Sequence, residues 1–123
     1  VVEAVGAQRT VRVACAEGRP IYEGREMVAG LAAAGLAVDV YTDAGLGAAL
    51  HLSDVLLLGA DAVTGDWVIN KAGSAQLAAL AGELGVPVYV VASRDKFVPP
   101  GVAALLQLRQ GPAAEVWDQP PPV

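Results

Sequence analysis

The sequence predicts an α/β domain in which a mostly parallel β-sheet is covered by helices on both faces. Segments rich in β-branched residues alternate with segments whose apolar residues recur every three or four positions, and short loops join them. Residues 55–58 form an unbroken apolar run, typical of a parallel strand buried on both faces. With 123 residues the chain is one domain. We place that domain at residues 1–117 and expect the proline-rich residues 118–123 to be extended or disordered.

The first part of the chain predicts two strands and a long helix. Residues 1–7 have apolar residues at helical spacing and resemble the tail of a helix. Residues 10–16 contain β-branched side chains in partial alternation, which predicts strand one. Over residues 23–34 apolar residues recur at spacings of three and four before Gly35, which predicts an amphipathic helix with a glycine stop. Residues 37–42 then form strand two.

The second part continues the alternation of strands and helices. Asp43 follows strand two, where its side chain could cap the next helix, although glycines make residues 44–52 only weakly helical. Strand three is the apolar run described above, and residues 73–84 form the longest helix. Residues 88–92 are strand four. The remaining predicted elements are a short apolar helix at 102–108 and an edge strand at 115–117.

The order of the strands in the sheet indicates where a ligand binds. Right-handed crossovers leave few orders, and we favour 2-1-3-4 with the later strand at the edge beyond strand four. The chain then reverses between strands one and three, and open sheets bind ligands at such a reversal, outside the carboxyl ends of the strands. The loops expected to meet there are residues 17–20 and 59–61. We therefore expect Glu17, Arg19 and Asp61 to line one crevice.

Polar residues concentrate in the segment 59–74, which follows strand three. It supplies the carboxylate of Asp61, a Gly-Asp turn, and the adjacent amide and amine of Asn70 and Lys71. An acid, an amide and a cation together favour recognition of a polar ligand. A structural interpretation is also open, because Asp61 could cap a turn and Lys71 could be a solvated lysine at a helix entry.

The loop after strand one has two interpretations as well. Arg19 could contact a phosphate group, or it could pair with Glu17 or Glu23 and hold the loop. Pro20 restricts the conformation of Arg19, so the loop is stiff in either case. Cys15 lies within strand one, and we interpret it as a small core residue rather than a nucleophile.

Composition excludes several classes of function. The net charge is −5, and no run of Lys and Arg favours direct nucleic-acid binding. No apolar stretch approaches the roughly 20 residues that a membrane-spanning helix needs. One cysteine and one histidine cannot form a zinc cluster, and neither a dinucleotide fingerprint nor a Walker glycine loop occurs. We expect a soluble cytoplasmic protein without a metal or cofactor.

The sequence also predicts self-association. The helices at 73–84 and 102–108 offer more apolar surface than a small domain readily covers alone. Exposed apolar patches of that kind usually mark an interface. We therefore expect a homodimer.

A series of short motifs, in order and spacing, resembles one superfamily between residues 10 and 97. The motifs are Glu17-Gly18-Arg19-Pro20, Glu23-Gly24-Arg25, Thr42-Asp43-Ala44, Gly59-Ala60-Asp61, Asn70-Lys71 with Gly73-Ser74, and Lys96-Phe97. Together they resemble the carboxy-terminal Rossmann-like domain shared by the alpha, beta and delta subunits of eukaryotic initiation factor 2B, methylthioribose-1-phosphate isomerase and ribose-1,5-bisphosphate isomerase. The resemblance implies a three-layer domain that pairs with a second copy.

The resemblance also implies roles for individual residues. Asp61 corresponds to the catalytic acid of the isomerases, and Asn70 and Lys71 correspond to a substrate-binding pair. Glu23 stands at the position of a glutamine that contacts substrate in methylthioribose-1-phosphate isomerases. The family's catalytic cysteine and its helical amino-terminal domain would precede Val1, outside this chain.

The sequence is compatible with two classes of function. In the first, the complete polypeptide isomerises an aldose 1-phosphate to a ketose phosphate, as a ribose-1,5-bisphosphate isomerase does. Asp61, kept protonated by apolar surroundings, would act as an acid, Arg19 would add a substrate contact, and the fragment alone would be inactive. In the second, the domain is a regulatory or scaffold module related to initiation factor 2B that recognises a sugar phosphate, a nucleotide or a protein partner without catalysis. Retention of Asp61 with Asn70 and Lys71 favours the first, and Glu23 favours the second.

Overall fold

The computed structural model describes residue 2, residue 6, residues 10–103 and residues 110–119. Val2 and Gly6 are helical, but most of the helix tail expected at residues 1–7 lies outside the described residues. The same holds for most of the helix expected at 102–108, of which only the start is described, and for residues 120–123 of the proline-rich tail.

The described elements follow the predicted alternation closely. In chain order they are β1 (Arg12–Ala16), α1 (Glu23–Ala33), β2 (Ala37–Tyr41), α2 (Leu46–Leu50), β3 (Leu56–Leu58), β4 (Ala62–Val63), β5 (Val68–Ile69), α3 (Ser74–Leu84), β6 (Val88–Val90) and α4 (Pro100–Ala103), with 3₁₀ turns at Arg94–Lys96 and Ala113–Glu115. The fold is therefore mixed α/β, as the sequence predicts.

The chain forms two compact units, the first of which contains residues 1–46 and 110–123. In this unit β1 pairs with β2 in parallel, from Arg12 opposite Ala37 to Ala16 opposite Tyr41. Helix α1 is the crossover between them and packs against both strands. Cys15 and Leu31 are buried, which confirms Cys15 as a core residue.

The second unit contains residues 47–109. Here β3 pairs with β6 in parallel, from Leu56 opposite Val88 to Leu58 opposite Val90. Helix α3 packs against both strands, and Leu50, Leu56 and Ala81 form a buried cluster in the core of the unit. The unit is thus a second βαβ-type pair.

A short hairpin, which the sequence analysis did not predict, follows β3. Strands β4 and β5 are antiparallel, with Ala62 opposite Ile69 and Val63 opposite Val68. The turn between them is closed by Thr64, whose N–H donates to the carbonyl of Trp67 at 2.9 Å and whose hydroxyl accepts from the Trp67 N–H at 3.1 Å. The predicted Gly-Asp turn is therefore the tip of this hairpin.

Two predictions about strands are wrong. Residues 115–117 do not form an edge strand, because the N–H groups of Val116 and Trp117 both donate to the carbonyl of Ala113 in a local turn. Strand β3 is not buried on both faces either. Leu56 is buried against α3, but Leu57 on the opposite face is 38% exposed, since α3 covers only one face of the β3–β6 pair.

The strand pairs agree with the predicted order as far as they extend. The order 2-1-3-4 requires strand one beside strand two and strand three beside strand four, and both of these parallel pairs are present. The neighbouring position of strands one and three, and the three-layer arrangement, remain predictions.

Candidate functional site

In the first unit, the loop after β1 is held by the carboxylate of Asp43. Its two oxygens accept the backbone N–H groups of Gly18 at 3.1 Å and Arg19 at 2.7 Å. The predicted helix-capping role of Asp43 is therefore wrong, and Thr42 instead accepts the N–H of Gly45 through its hydroxyl at 3.1 Å. The consequence is a loop whose backbone is fixed by a charged group 24 or 25 residues away in sequence.

Close packing between this loop and α1 places Glu23. Gly18 has a positive φ of 78°, and a Cβ there would lie 3.2 Å from the carboxylate of Glu23. Glu23 is the first residue of α1, and its carboxylate thus lies against Gly18. Gly24 allows the start of α1 to lie close to the end of β1, because a Cβ at residue 24 would overlap the carbonyl oxygen of Ala16.

The guanidinium of Arg19 is exposed and belongs to a cluster with Tyr22. It donates to the Tyr22 hydroxyl, and its Nη2 lies 3.4 Å from the carbonyl oxygen of Val116. Glu17, which we considered as an ion-pair partner of Arg19, instead lies 3.6 Å from Nη2 of Arg25. Arg19 is therefore oriented mainly by an aromatic residue.

In the second unit, the β4–β5 hairpin brings Asp61 and Asn70 together. Asp61 immediately precedes β4, Asn70 immediately follows β5, and the Asp61 N–H donates to the carbonyl of Ile69 at 2.8 Å. Residues nine positions apart in sequence therefore lie at the same open end of the hairpin.

Asn70 and Lys71 are placed by the start of α3. The side-chain amide of Asn70 donates to the hydroxyl of Ser74 at 2.8 Å, and the Ser74 N–H donates to the carbonyl of Lys71 at 3.2 Å. Gly73 makes this tight entry possible, because it adopts a positive φ of 98° at the N-cap position. Both Asn70 and Lys71 are half-buried, which restricts their side chains.

Asp61 itself is exposed. The apolar surroundings that we expected around it are not present among the residues that the structure describes. Burial in such surroundings is what would keep a carboxyl group protonated at neutral pH. A ligand, or another part of the complete protein, must therefore cover Asp61 if it acts as an acid.

Lys96 is a candidate residue to which the sequence analysis gave no role. Phe97 forms a parallel bridge with Val63, and the N–H of Val98 donates to the Val63 carbonyl at 2.8 Å. The backbone of Lys96 is thereby held beside β4, the strand that Asp61 precedes. The signal was present, because Lys96-Phe97 is one of the motifs on which the resemblance rests.

The rest of the described chain offers little alternative chemistry. Burial raises the pKa of the Cys15 thiol, so little reactive thiolate forms at neutral pH. Nowhere in residues 10–103 or 110–119 do three or more His, Cys, Asp or Glu side chains come together in a way that could hold a metal. Within the same residues, every helix is too short or too polar to cross a membrane.

The structure therefore groups the predicted site residues by unit. Arg19 and Glu23 lie together at the loop after β1, and Asp61, Asn70 and Lys71 lie together at the base of the hairpin. Asp43, Tyr22 and Lys96 were missed as members of these groups. The crevice shared by Glu17, Arg19 and Asp61 stays a prediction.

A family model and individual relatives both match this chain over most of its length. A sequence model described as the Initiation factor 2 subunit family matches residues 1–116. A Pyrococcus horikoshii protein named translation initiation factor eIF-2B subunit 2-like is 36% identical over 93 residues, which are 75% of this chain and 34% of that protein. A ribose 1,5-bisphosphate isomerase from Archaeoglobus fulgidus is 35% identical over 92 residues, which are 74% of this chain and 29% of that enzyme.

A solved structure extends the comparison to the fold. The crystal structure of translation initiation factor eIF-2B, subunit delta, from A. fulgidus superposes with a TM-score of 0.82 and 28% identity, covering 92% of this chain and 34% of that one. The chain thus spans about a third of the length of the proteins it resembles.

Proposed function

Because the chain belongs to the Initiation factor 2 subunit family, we propose that it is the sugar-phosphate-binding domain of an isomerase that converts an aldose 1-phosphate to a ketose phosphate. The observation that supports this proposal is the hairpin after β3, because Asp61 precedes its first strand and Asn70 and Lys71 follow its second strand. Similarity to ribose 1,5-bisphosphate isomerase favours a phosphorylated pentose as the substrate.

The chemistry of the conversion sets what the site has to do. A hydrogen moves from carbon 2 of the sugar to carbon 1, and a proton passes from the carbon-2 hydroxyl to the ring oxygen when the ring opens. The reaction is an internal redox exchange, so it consumes no oxidant or cofactor. The protein must bind the phosphate, hold the hydroxyl groups and move protons around carbons 1 and 2.

Asp61 is the general acid in this proposal. A carboxyl group can donate a proton at neutral pH when desolvation raises its pKa. Asp61 is exposed in this chain, so we infer that the bound sugar and the remainder of the complete protein supply the desolvation. This chain covers about a third of its relatives, and a second proton-handling residue would come from the remainder of the complete protein.

The neighbouring residues provide binding. Asn70 is fixed by its hydrogen bond to Ser74, so its amide oxygen is oriented for a sugar hydroxyl. Lys71 would contact phosphate or hydroxyl oxygens, and Lys96, whose neighbour Phe97 bridges to β4, would add a second cation. In the first unit, Arg19 and Glu23 would contribute further contacts, with Arg19 suited to phosphate and Glu23 to hydroxyl groups.

The second candidate is a regulatory or scaffold module that binds a ligand or a protein without turnover. Two observations favour it: Asp61 is exposed, and the chain is similar to a protein named as a translation initiation factor eIF-2B subunit. The ligand could be the same sugar phosphate or a nucleotide. The two candidates differ in turnover rather than in binding.

We also propose that the protein forms a homodimer in the cytoplasm. Support comes from apolar side chains that remain exposed, such as Leu84 at the end of α3 and Val102 in α4. Sedimentation of the complete protein as a monomer at micromolar concentration would count against a dimer.

Calorimetric titration of the complete protein with ribose 1,5-bisphosphate tests the binding step, with Asp61→Asn present in every protein so that turnover does not contribute heat. We expect Lys71→Gln to weaken binding by about tenfold or more, because a charge-assisted hydrogen bond to phosphate is lost. Arg12→Gln is the matched control. Arg12 is an exposed cation at the first residue of β1, paired with Asp39, and it is not one of the proposed site residues. The proposed site is wrong if both variants bind equally well, or if unphosphorylated ribose binds as tightly as the bisphosphate.

A further inference from the structure

Tyr22 gathers two arginine side chains on one aromatic ring. The guanidinium carbon of Arg25 lies 3.8 Å from the ring centroid, and that of Arg19 lies 5.0 Å from it. Both distances are within the range of about 6 Å in which a cation is attracted to the ring face. Arg19 is tied to the same residue a second time, because it donates to the Tyr22 hydroxyl. Tyr22 is therefore a contact that both cations share.

The backbone of Tyr22 is strained. Its φ of 59° and ψ of 28° are left-handed, a conformation that an aromatic residue rarely adopts. Hydrogen bonds hold it there, since the Tyr22 N–H donates to Gly18 at 2.7 Å and the Tyr22 carbonyl accepts from Arg25 at 3.0 Å. Strained residues that are held in this way concentrate at functional sites.

The ion pairs of the cluster leave capacity for another anion. Glu17 approaches Arg25 through one long contact of 3.6 Å rather than through a bidentate pair. A guanidinium has five N–H donors in a planar fork, so among the residues that the structure describes this contact orients Arg25 without using all of its donors. A guanidinium fork is also well matched to the oxygens of a phosphate group.

We propose that Tyr22 is a positioning residue that holds Arg19 and Arg25 together as a phosphate-binding pair, which makes Arg25 an additional phosphate contact. The proposal rests on the proposed function in naming a sugar phosphate as the natural ligand. The phosphate recognition itself does not depend on turnover. Arg19 lies in the stiff loop that Asp43 fixes, and Arg25 lies in the first turn of α1.

The test uses the complete protein and inorganic phosphate, followed by phosphorus NMR at constant ionic strength. We expect Arg25→Gln to weaken phosphate binding by about tenfold, as for the loss of one charge-assisted hydrogen bond. Tyr22→Phe keeps the ring and should remain within about threefold of the unmodified protein. Arg12→Gln, which removes an arginine outside the cluster, should have no effect.

Tyr22→Gly separates positioning from stability. Glycine adopts the left-handed backbone without strain, so this variant should fold, and its thermal unfolding checks that it does. Because both cations lose their support, phosphate binding should fall by about tenfold or more. Adding Arg25→Gln to Tyr22→Gly should then cost little more, since the two residues act through one arrangement. Independent, additive effects would overturn the proposal.

The outcomes distinguish this proposal from the proposed function. In one outcome, the complete protein converts ribose 1,5-bisphosphate while neither Arg25→Gln nor Tyr22→Gly changes phosphate binding. That result would overturn the proposed arginine pair but would leave the proposed isomerase activity standing. Phosphate binding that depends on both residues supports the pair even where no turnover is measured. Should Tyr22→Gly fail to fold, the comparison of Arg25→Gln with Arg12→Gln decides the matter.

Discussion

Asp61→Asn is expected to lower turnover of ribose 1,5-bisphosphate by the complete protein by about 10²–10⁴-fold, the usual contribution of a general acid. Asparagine has nearly the size of aspartate and can still donate a hydrogen bond, but it cannot transfer a proton. The hairpin should be unaffected, because the Asp61 backbone rather than its side chain makes the described contact with Ile69. Binding of the sugar should therefore stay within a few fold.

Asp66→Asn is the matched control for this variant. Asp66 lies in the turn at the other end of the same hairpin, exposed, with its N–H donating to the Thr64 hydroxyl at 3.2 Å. The same change of charge should leave turnover unaltered there. Near-normal turnover in Asp61→Asn, measured by ketose formation at saturating sugar, would remove Asp61 from the mechanism. An equal loss in Asp66→Asn would point to net charge rather than to the acid.

Gly24→Ala is expected to destabilise the protein strongly, by about 3 kcal/mol, the upper part of the usual range for overpacking. The added Cβ would overlap the carbonyl oxygen of Ala16 and lie 2.8 Å from the carbonyl carbon and oxygen of Glu17. The overlapping atoms of Ala16 and Glu17 belong to the backbone, so the overlap can be removed only if α1 moves away from the loop. The Arg19 loop should shift with it, and phosphate binding should weaken as well.

Gly30→Ala provides the control in the same helix. A Cβ at Gly30 would meet nothing within 4 Å, and the position lies inside α1. Alanine is preferred to glycine in a helix by about 0.5–1 kcal/mol, so this variant should be slightly more stable. The urea midpoints of both variants measure the difference. If the two changes have similar effects, the close approach of α1 to the loop is wrong.

Long periodic segments were predictable from the sequence because their patterns are local. The amphipathic spacing and Gly35 fixed helix α1 to within one residue, and the apolar run before Gly59 identified β3. The parallel pairs followed from the alternation of strands and helices. Membership of the family was visible in the motifs, which the match over residues 1–116 confirms.

Contacts that depend on residues far apart in sequence were not predictable. Asp43 looked like a helix cap, but its partners are the N–H groups of Gly18 and Arg19. The hairpin was missed because strands of two residues are too short to show a period of two. The opposite error occurred at residues 115–117, where Val116 and Trp117 suggested a strand but local hydrogen bonds to Ala113 form a turn.

Carbon-13 NMR of ribose 1,5-bisphosphate labelled at carbon 2 tests most directly whether the site converts a phosphorylated aldose. The unmodified complete protein should move the labelled signal from that of an alcohol carbon to that of a ketone carbon. The change should require catalytic amounts of protein only. A labelled sugar that binds, as judged by broadening of its signal, but keeps its alcohol carbon after prolonged incubation would contradict the isomerase and favour the binding module.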